Sequence, residues 1–298
     1  MRVLMTLVLA AMMASCGNDP LGSGGSGASV DREGWPEVIR VGLIPTEGGA
    51  DTQERFHPIR DHLRTELDWP VELQTASDYQ GVITAMSNDQ IEFAWFGAKS
   101  YVEAAKRADA EALLLELNDK GERGYRSILI VPADSEIRSL ADAKGKRFAF
   151  TDPNSTSGMV VPQIDIIDLT GMPAEEYFGE VTFSGAHQTS ILEVASGKVD
   201  IAATNDLDMA KVMLEGRVRP DQVRVIHESD LIPGAPWAGR RELPASLKKA
   251  FVDAIMKLND EPSIKERLQN GGYSPVTDEE YDMVRQMSDY LESQNAGG

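Results

Sequence analysis

Short runs rich in β-branched and aromatic residues alternate with helical stretches along most of this chain, and that alternation narrows the possible folds more than any other feature. Val38 to Ile44 precedes a helical stretch from Glu54 to Glu66; Val71 to Thr75 precedes Tyr79 to Ser87; Ile91 to Phe96 precedes Lys99 to Ala108. Such alternation predicts α/β layers around a mostly parallel sheet. The same pattern resumes past Val131, with strands expected at Arg147–Phe150, Val181–Phe183, Val199–Ala203 and Val223–Ile226 and a helix from about Gly158 to Leu169. Two such units in succession suggest two lobes.

The runs Ala112–Glu116 and Arg126–Val131 read as strands, and Pro132 directly after the second marks a boundary. The helices expected at Pro244–Asn259, Pro262–Asn270 and Asp278–Glu292 have no recognisable strands of their own and should pack back on the first unit. This divides the chain into lobe 1 at 35–131, lobe 2 at 132–225 and a return at 226–298. Two crossings between lobes would make a hinge. No internal repeat is visible.

The first sixteen residues carry one positive charge, Arg2, then an apolar run from Val3 to Ala14 and Ser15-Cys16. That run is too short to span a bilayer, which takes about 20 residues, and reads as a signal peptide. Met13-Ala-Ser-Cys16 is similar to the bacterial lipobox, so Cys16, the sole cysteine, is expected to carry lipid and hold the protein outside a membrane. Residues 17–34 include a Gly/Ser-rich stretch and read as a flexible tether. The formal charge is −19, which makes nucleic acid a poor partner.

The most informative segment is Phe148-Ala-Phe-Thr-Asp-Pro-Asn-Ser-Thr-Ser-Gly158, a strand, a polar turn and then a helix. Backbone N–H groups at a helix start lack intrahelical partners and the dipole adds positive potential, so an anion can be held there without lysine or arginine. Ser155, Thr156 and Ser157 would each add a hydroxyl donor, where an ordinary N-cap needs one. His187 reads equally as a solvated loop histidine or as a ligand contact. Tyr79 and Tyr125, taken alone, read as packed aromatics. Trp95 reads as core, while Gly97 and Ser100 lie where a second helix start would face the anion.

Taken in order, Ser77-Asp-Tyr79, Phe93-Ala-Trp-Phe-Gly97, Gly124-Tyr-Arg-Ser127, Ser139-Leu-Ala-Asp-Ala-Lys-Gly-Lys146, Asp152-Pro-Asn-Ser-Thr-Ser-Gly158 and Gly185-Ala-His187 resemble the phosphonate-type periplasmic solute-binding proteins of ABC transporters. The resemblance implies a type II two-lobed binding fold closing about a hinge. It also implies ligand contacts from Tyr79, Tyr125, Ser155, Thr156, Ser157 and His187. Acidic residues that meet an ammonium group in some members would be Asp206, in Asn205-Asp-Leu-Asp208, and Asp230, in Glu228-Ser-Asp230. The implied function is capture of a phosphonate or related phosphorus oxyanion, such as phosphite, for a permease and ATPase complex, without cofactor or catalysis. A sensor role beside a histidine kinase and another oxyanion, such as an arsenic one, are the alternatives. The chain lacks a P-loop, a zinc-spaced His/Cys set and a Gly-x-Ser-x-Gly elbow, and its four histidines at 57, 62, 187 and 227 are scattered.

Overall fold

The computed structural model describes residues 30–296, so the expectations for the signal peptide, Cys16 and most of the tether lie outside the described residues. In the first sheet β1 (Ile39–Leu43) lies between β2 (Val71–Thr75) and β3 (Phe93–Trp95), both parallel to it and joined through α1 (Gly49–Leu67) and α2 (Tyr79–Ser87). A third helix, α3 (Ala98–Ala108), leads to β4 (Ala110–Leu117). The chain then enters a second sheet made of β5 (Gly124–Pro132), β6 (Arg147–Phe150), β7 (Glu180–Phe183), β8 (Ile201–Asn205) and β9 (Val223–Pro233), in the order β7-β6-β8-β5-β9. Between them run α4 (Val161–Thr170), α5 (Ala174–Tyr177), α6 (His187–Ala195) and α7 (Asp206–Leu214). On its return the chain adds β10 (Pro236–Arg240) and β11 (Gly272–Pro275) to the first sheet, giving β11-β4-β10-β3-β1-β2, together with α8 (Ala245–Lys257), α9 (Pro262–Leu268) and α10 (Asp282–Ala296).

Both sheets are mixed rather than mostly parallel. The returning strands β10 and β11 pair antiparallel, as β5 does with β8 and β9. Pro236–Arg240 and Gly272–Pro275 are short and rich in proline and glycine, so they carry no period-2 signal and are not expected from the sequence. The crossings also fall elsewhere than at 131 and 225. Strand β5 belongs wholly to the second sheet, with Gly124 opposite Pro233 and Pro132 opposite Val223. Pro132 thus marks the far end of that pair of strands, while the chain changes lobe near Gly124 and again between Pro233 and Pro236. Glycine is required at both passages: a Cβ on Gly124 would sit 2.3 Å from the Ile232 carbonyl oxygen, and one on Gly234 would sit 2.2 Å from that of Glu116.

The inner strands β5, β6 and β8 of the second sheet are buried on both faces, which is why they read as apolar runs, whereas the edge strands β7 and β9 are partly exposed. Leu129 and Val131 face a core with Phe148, Phe150 and Ile201, whereas Ile128 and Ile130 face Ile191, Val194 and Val212 on the other side. Helix α1 buries Phe56, Ile59, Leu63 and Leu67, the three- and four-residue spacing of one helical face. Phe251 of α8 stacks on Phe93 at 3.9 Å beneath the first sheet, so the returning helices do cover lobe 1. Tyr125, Val161 and Ile232, with Leu207 and Met287 of α10, form a small apolar cluster where the crossings meet the second lobe.

Candidate functional site

A cleft with about 710 Å³ of empty space, counted with its open mouth, lies between the carboxyl ends of strands in the two lobes. Its wall includes Tyr79, Tyr125, Ser155, Thr156 and His187, five of the eight expected ligand residues. The second lobe supplies the hydroxyl turn after β6. Asp152 Oδ1 accepts from the Asn154 N–H at 2.7 Å, and the Ser155 N–H donates to the Asp152 carbonyl, which folds the turn tightly. Thr156–Val160 then forms a single π turn before α4, with Pro162 in the first turn of that helix. Such turns recur at functional sites because the widened ring re-aims the backbone. Gly158 permits it: a Cβ there would lie 2.3 Å from Thr151 Cβ.

The three hydroxyls are buried and differ in their engagements. Ser155 Oγ accepts from the Gly158 N–H at 3.0 Å and lies 3.3 Å from His187 Nε2. Thr156 Oγ1 accepts the Lys99 N–H at 2.8 Å, a bond from the first turn of α3 in the other lobe. Ser157 lies beneath Asn205, whose Nδ2 is 3.5 Å from its Oγ, and its carbonyl accepts from Ser127 Oγ. The first N–H groups of this turn have no intrahelical acceptor, so they and the hydroxyls present neutral donors where an anion would sit.

His187 opens α6 and is 3% exposed, which excludes the solvated-loop reading. Its Nδ1 is 3.1 Å from Thr204 Oγ1, and burial holds the imidazole below its usual range while Asp208 pulls it upward. The Tyr125 hydroxyl faces Ser157 and Thr156, and burial pushes its pKa up to about 12. Tyr79 is fully buried beside Ser155, yet its hydroxyl makes no hydrogen bond of normal geometry among the described residues. Thr46 Oγ1, also on the cleft wall, is in the same condition. Buried polar groups are nearly always satisfied, so two such hydroxyls in one cleft point to a ligand.

The acidic expectations shift by two residues. Asp206 Oδ1 accepts from the backbone N–H groups of Arg126 and Leu207, at 2.9 and 3.0 Å, and is not part of the cleft wall. Asp230 is exposed on β9 and also lies away from it. Asp208 lines the cleft instead, with Oδ2 accepting from Asn205 Nδ2 at 2.7 Å. Helical residues two apart do not share a face, so a carboxylate at 206 turned toward β5 leaves 208 facing the cleft. Trp95, read as core, is buried but also lines the cleft, and its Nε1 donates to Glu116 at 2.9 Å. Of the helix start read as facing the site, Gly97 lines the cleft, while Ser100 does not: it is buried, and its Oγ accepts from the Gly97 N–H as a cap.

Sequence reasoning missed Arg55, Glu116 and Lys211, which line the far side of the cleft. Arg55 lies over the rings of Phe56 and Trp95. Burial raises the Glu116 carboxyl despite the Arg55 charge nearby. These residues come from α1, β4 and α7, and no spacing in the sequence links them. The lobes touch all around the cleft, through Thr156 to Lys99, the Gln188 N–H to the Thr46 carbonyl at 3.2 Å, and Asn154 to Gln80. The arrangement is closed.

Two mixed α/β lobes, joined by two chain passages and closed on a buried cleft that is walled by hydroxyls and backbone N–H groups on one side and by charged side chains on the other, define a two-lobed substrate-binding protein. Residues 41–281 match the family described as "ABC transporter, phosphonate, periplasmic substrate-binding protein", and the chain belongs to that family. It is 30% identical to the "Phosphonates-binding periplasmic protein" of Escherichia coli strain K12, over 87% of this chain and 78% of that one. It is 31% identical to the "Phosphate-import protein PhnD" of Mycolicibacterium smegmatis, over 91% of each. A binding-protein component of the ABC phosphonate transporter of Pseudomonas aeruginosa superposes with a TM-score of 0.81 at 29% identity, covering 87% of this chain and 88% of that one.

Proposed function

We propose that the protein captures a phosphonate, or a closely related phosphorus oxyanion, between its lobes and passes it unchanged to an ABC importer. The observation that carries this reading is the hydroxyl turn, which brings Ser155 and Thr156 into one cleft with the buried hydroxyls of Tyr79 and Thr46, neither of which has a hydrogen bond of normal geometry among the described residues. Neutral donors suit a small oxyanion inside an acidic protein, because local dipoles act at hydrogen-bond range while distant surface charge is screened. Ile44, Trp95, Leu207 and Ala235 on the same wall give an organic substituent an apolar surface, which favours a carbon-bearing phosphonate over bare phosphate. The relatives in E. coli and M. smegmatis, named for phosphonates and for phosphate, bracket the ligand class. Cys16 would tether the mature protein to the outer face of a membrane by lipid.

Calorimetric titration with methylphosphonate, 2-aminoethylphosphonate, phosphite and phosphate tests the reading. At least one phosphonate should bind tenfold or more tighter than phosphate, about 1.4 kcal/mol. Tightest binding of phosphate would make the protein a phosphate carrier, and no binding of any of the four would refute the reading. Mass spectrometry of the native protein should find a lipidated N-terminal Cys16.

A further inference from the structure

Glu47, in the loop between β1 and α1, stands on the lobe boundary. Its Oε1 lies 2.9 Å from Arg55 Nε of its own lobe and is also ion-paired to Lys211 Nζ of α7, in the opposite lobe. The three side chains are 6%, 11% and 7% exposed, so this is a buried cluster and not a surface pair. The preceding residue is held as well, because the Thr46 carbonyl accepts from the Gln188 N–H of α6. Arg55 and Lys211 line the ligand cleft on one side and an outer charged pocket with Asp51, Glu215, Arg217 and Arg267 on the other, so the cluster forms the wall between cleft and solvent. Outside it Arg217 pairs with Asp51 at 3.1 Å, but both are about two-fifths exposed, where such pairs contribute little.

We propose that Glu47 is the latch of the closed form: one carboxylate, shared between Arg55 and Lys211, that allows the second lobe to close and sets how fast the ligand is released. This rests on the reading of the cleft as a phosphorus-oxyanion site. Opening separates Glu47 from Lys211 and returns both to water, whereas closing buries two cations against one another unless Glu47 lies between them. Burial alone disfavours the charged lysine here, and Glu47 offsets it. The roles are therefore unequal. Without Lys211 the Glu47–Arg55 pair remains compensated; without Glu47 the two cations lose the one carboxylate they share and keep only separate ones, Glu116 near Arg55 and Glu215 at 3.8 Å from Lys211, with Asp208 near both. An isolated buried charge is the costly case, whereas replacing a buried charge by an apolar group of similar size, with its neighbour still paired, is close to neutral.

The experiment compares wild type, Glu47→Gln, Arg217→Met and Lys211→Glu by calorimetry and stopped-flow release of methylphosphonate and phosphite, with melting temperatures of the ligand-free proteins. Glu47→Gln should weaken both ligands by about thirtyfold or more and speed release correspondingly, while Arg217→Met, which removes only the exposed pair outside the cleft, stays within about fivefold of wild type. Ligand-free melting of Lys211→Glu should be unchanged, because the open form lacks the cross-lobe contact, whereas Glu47→Gln also removes the pair with Arg55 inside one lobe. The proposal is overturned if Glu47→Gln binds within threefold of wild type, if its loss is confined to one ligand, or if Lys211→Glu lowers ligand-free melting along with affinity. Lys211→Glu, which sets two carboxylates face to face only in the closed form, should lose affinity in the same uniform way; wild-type binding by it would also overturn the latch. Failure of wild type to bind any phosphorus oxyanion would instead refute the ligand reading.

Discussion

The backbone N–H of Lys99 donates to Thr156 Oγ1 at 2.8 Å, tying the first turn of a helix in one lobe to the hydroxyl turn of the other. Thr156 thus closes the lobes and lines the cleft with the same oxygen. Thr156→Val should weaken phosphonate binding by about tenfold to a hundredfold, the roughly 1.5–3 kcal/mol of a charge-assisted hydrogen bond. Thr156→Ser, which keeps the hydroxyl, should bind nearly as wild type. Titration calorimetry of both variants checks this.

Tyr79 offers the opposite balance. Its hydroxyl is buried without a hydrogen-bond partner of normal geometry among the described residues, so Tyr79→Phe should leave the ligand-free melting temperature unchanged or higher, while affinity falls by about tenfold. A loss of stability without loss of affinity would show that the hydroxyl serves the fold.

The two aspartates at the start of α7 should separate by role. Asp208→Asn should weaken 2-aminoethylphosphonate and leave methylphosphonate little changed, because only the first brings a cation to the cleft wall. Asp206→Asn should lower the melting temperature without changing that ratio, since its carboxylate serves the backbone of Arg126 and Leu207.

At Gly158 the π turn passes too close to Thr151 for any side chain. Gly158→Ala should destabilise the protein by about 1–3 kcal/mol through overpacking, read as a lower denaturation midpoint.

His187 gives a pH signature. All of its ring contacts, Ser155, Thr151 and Thr204, come from its own lobe, and burial keeps the folded imidazole below its unfolded pKa. The unfolded chain therefore binds the proton first as pH falls. The contribution of His187 is complete above about pH 6.5 and is lost progressively below it, down toward the folded pKa. The melting-temperature difference between wild type and His187→Gln should shrink from pH 7.5 to pH 5.5; a constant difference would contradict it.

The sequence alone determined what is local. Strand and helix alternation follows from side-chain periodicity, and the hydroxyl turn at Ser155–Ser157 is contiguous, so both are legible in the order of residues. Tertiary structure decided what depends on two distant segments meeting. The lobe passages lie at Gly124 and Gly234, where one backbone crowds another, and not at Pro132, because a proline reports the end of its own strand and not the sheet that strand joins. Asp208 rather than Asp206 faces the cleft because a carboxylate at 206 found backbone donors on β5, a strand 80 residues earlier. Glu47, Arg55 and Lys211 carry no motif at all. Their meaning arises when closure buries three charges from two lobes at one point, and no spacing along a chain encodes that.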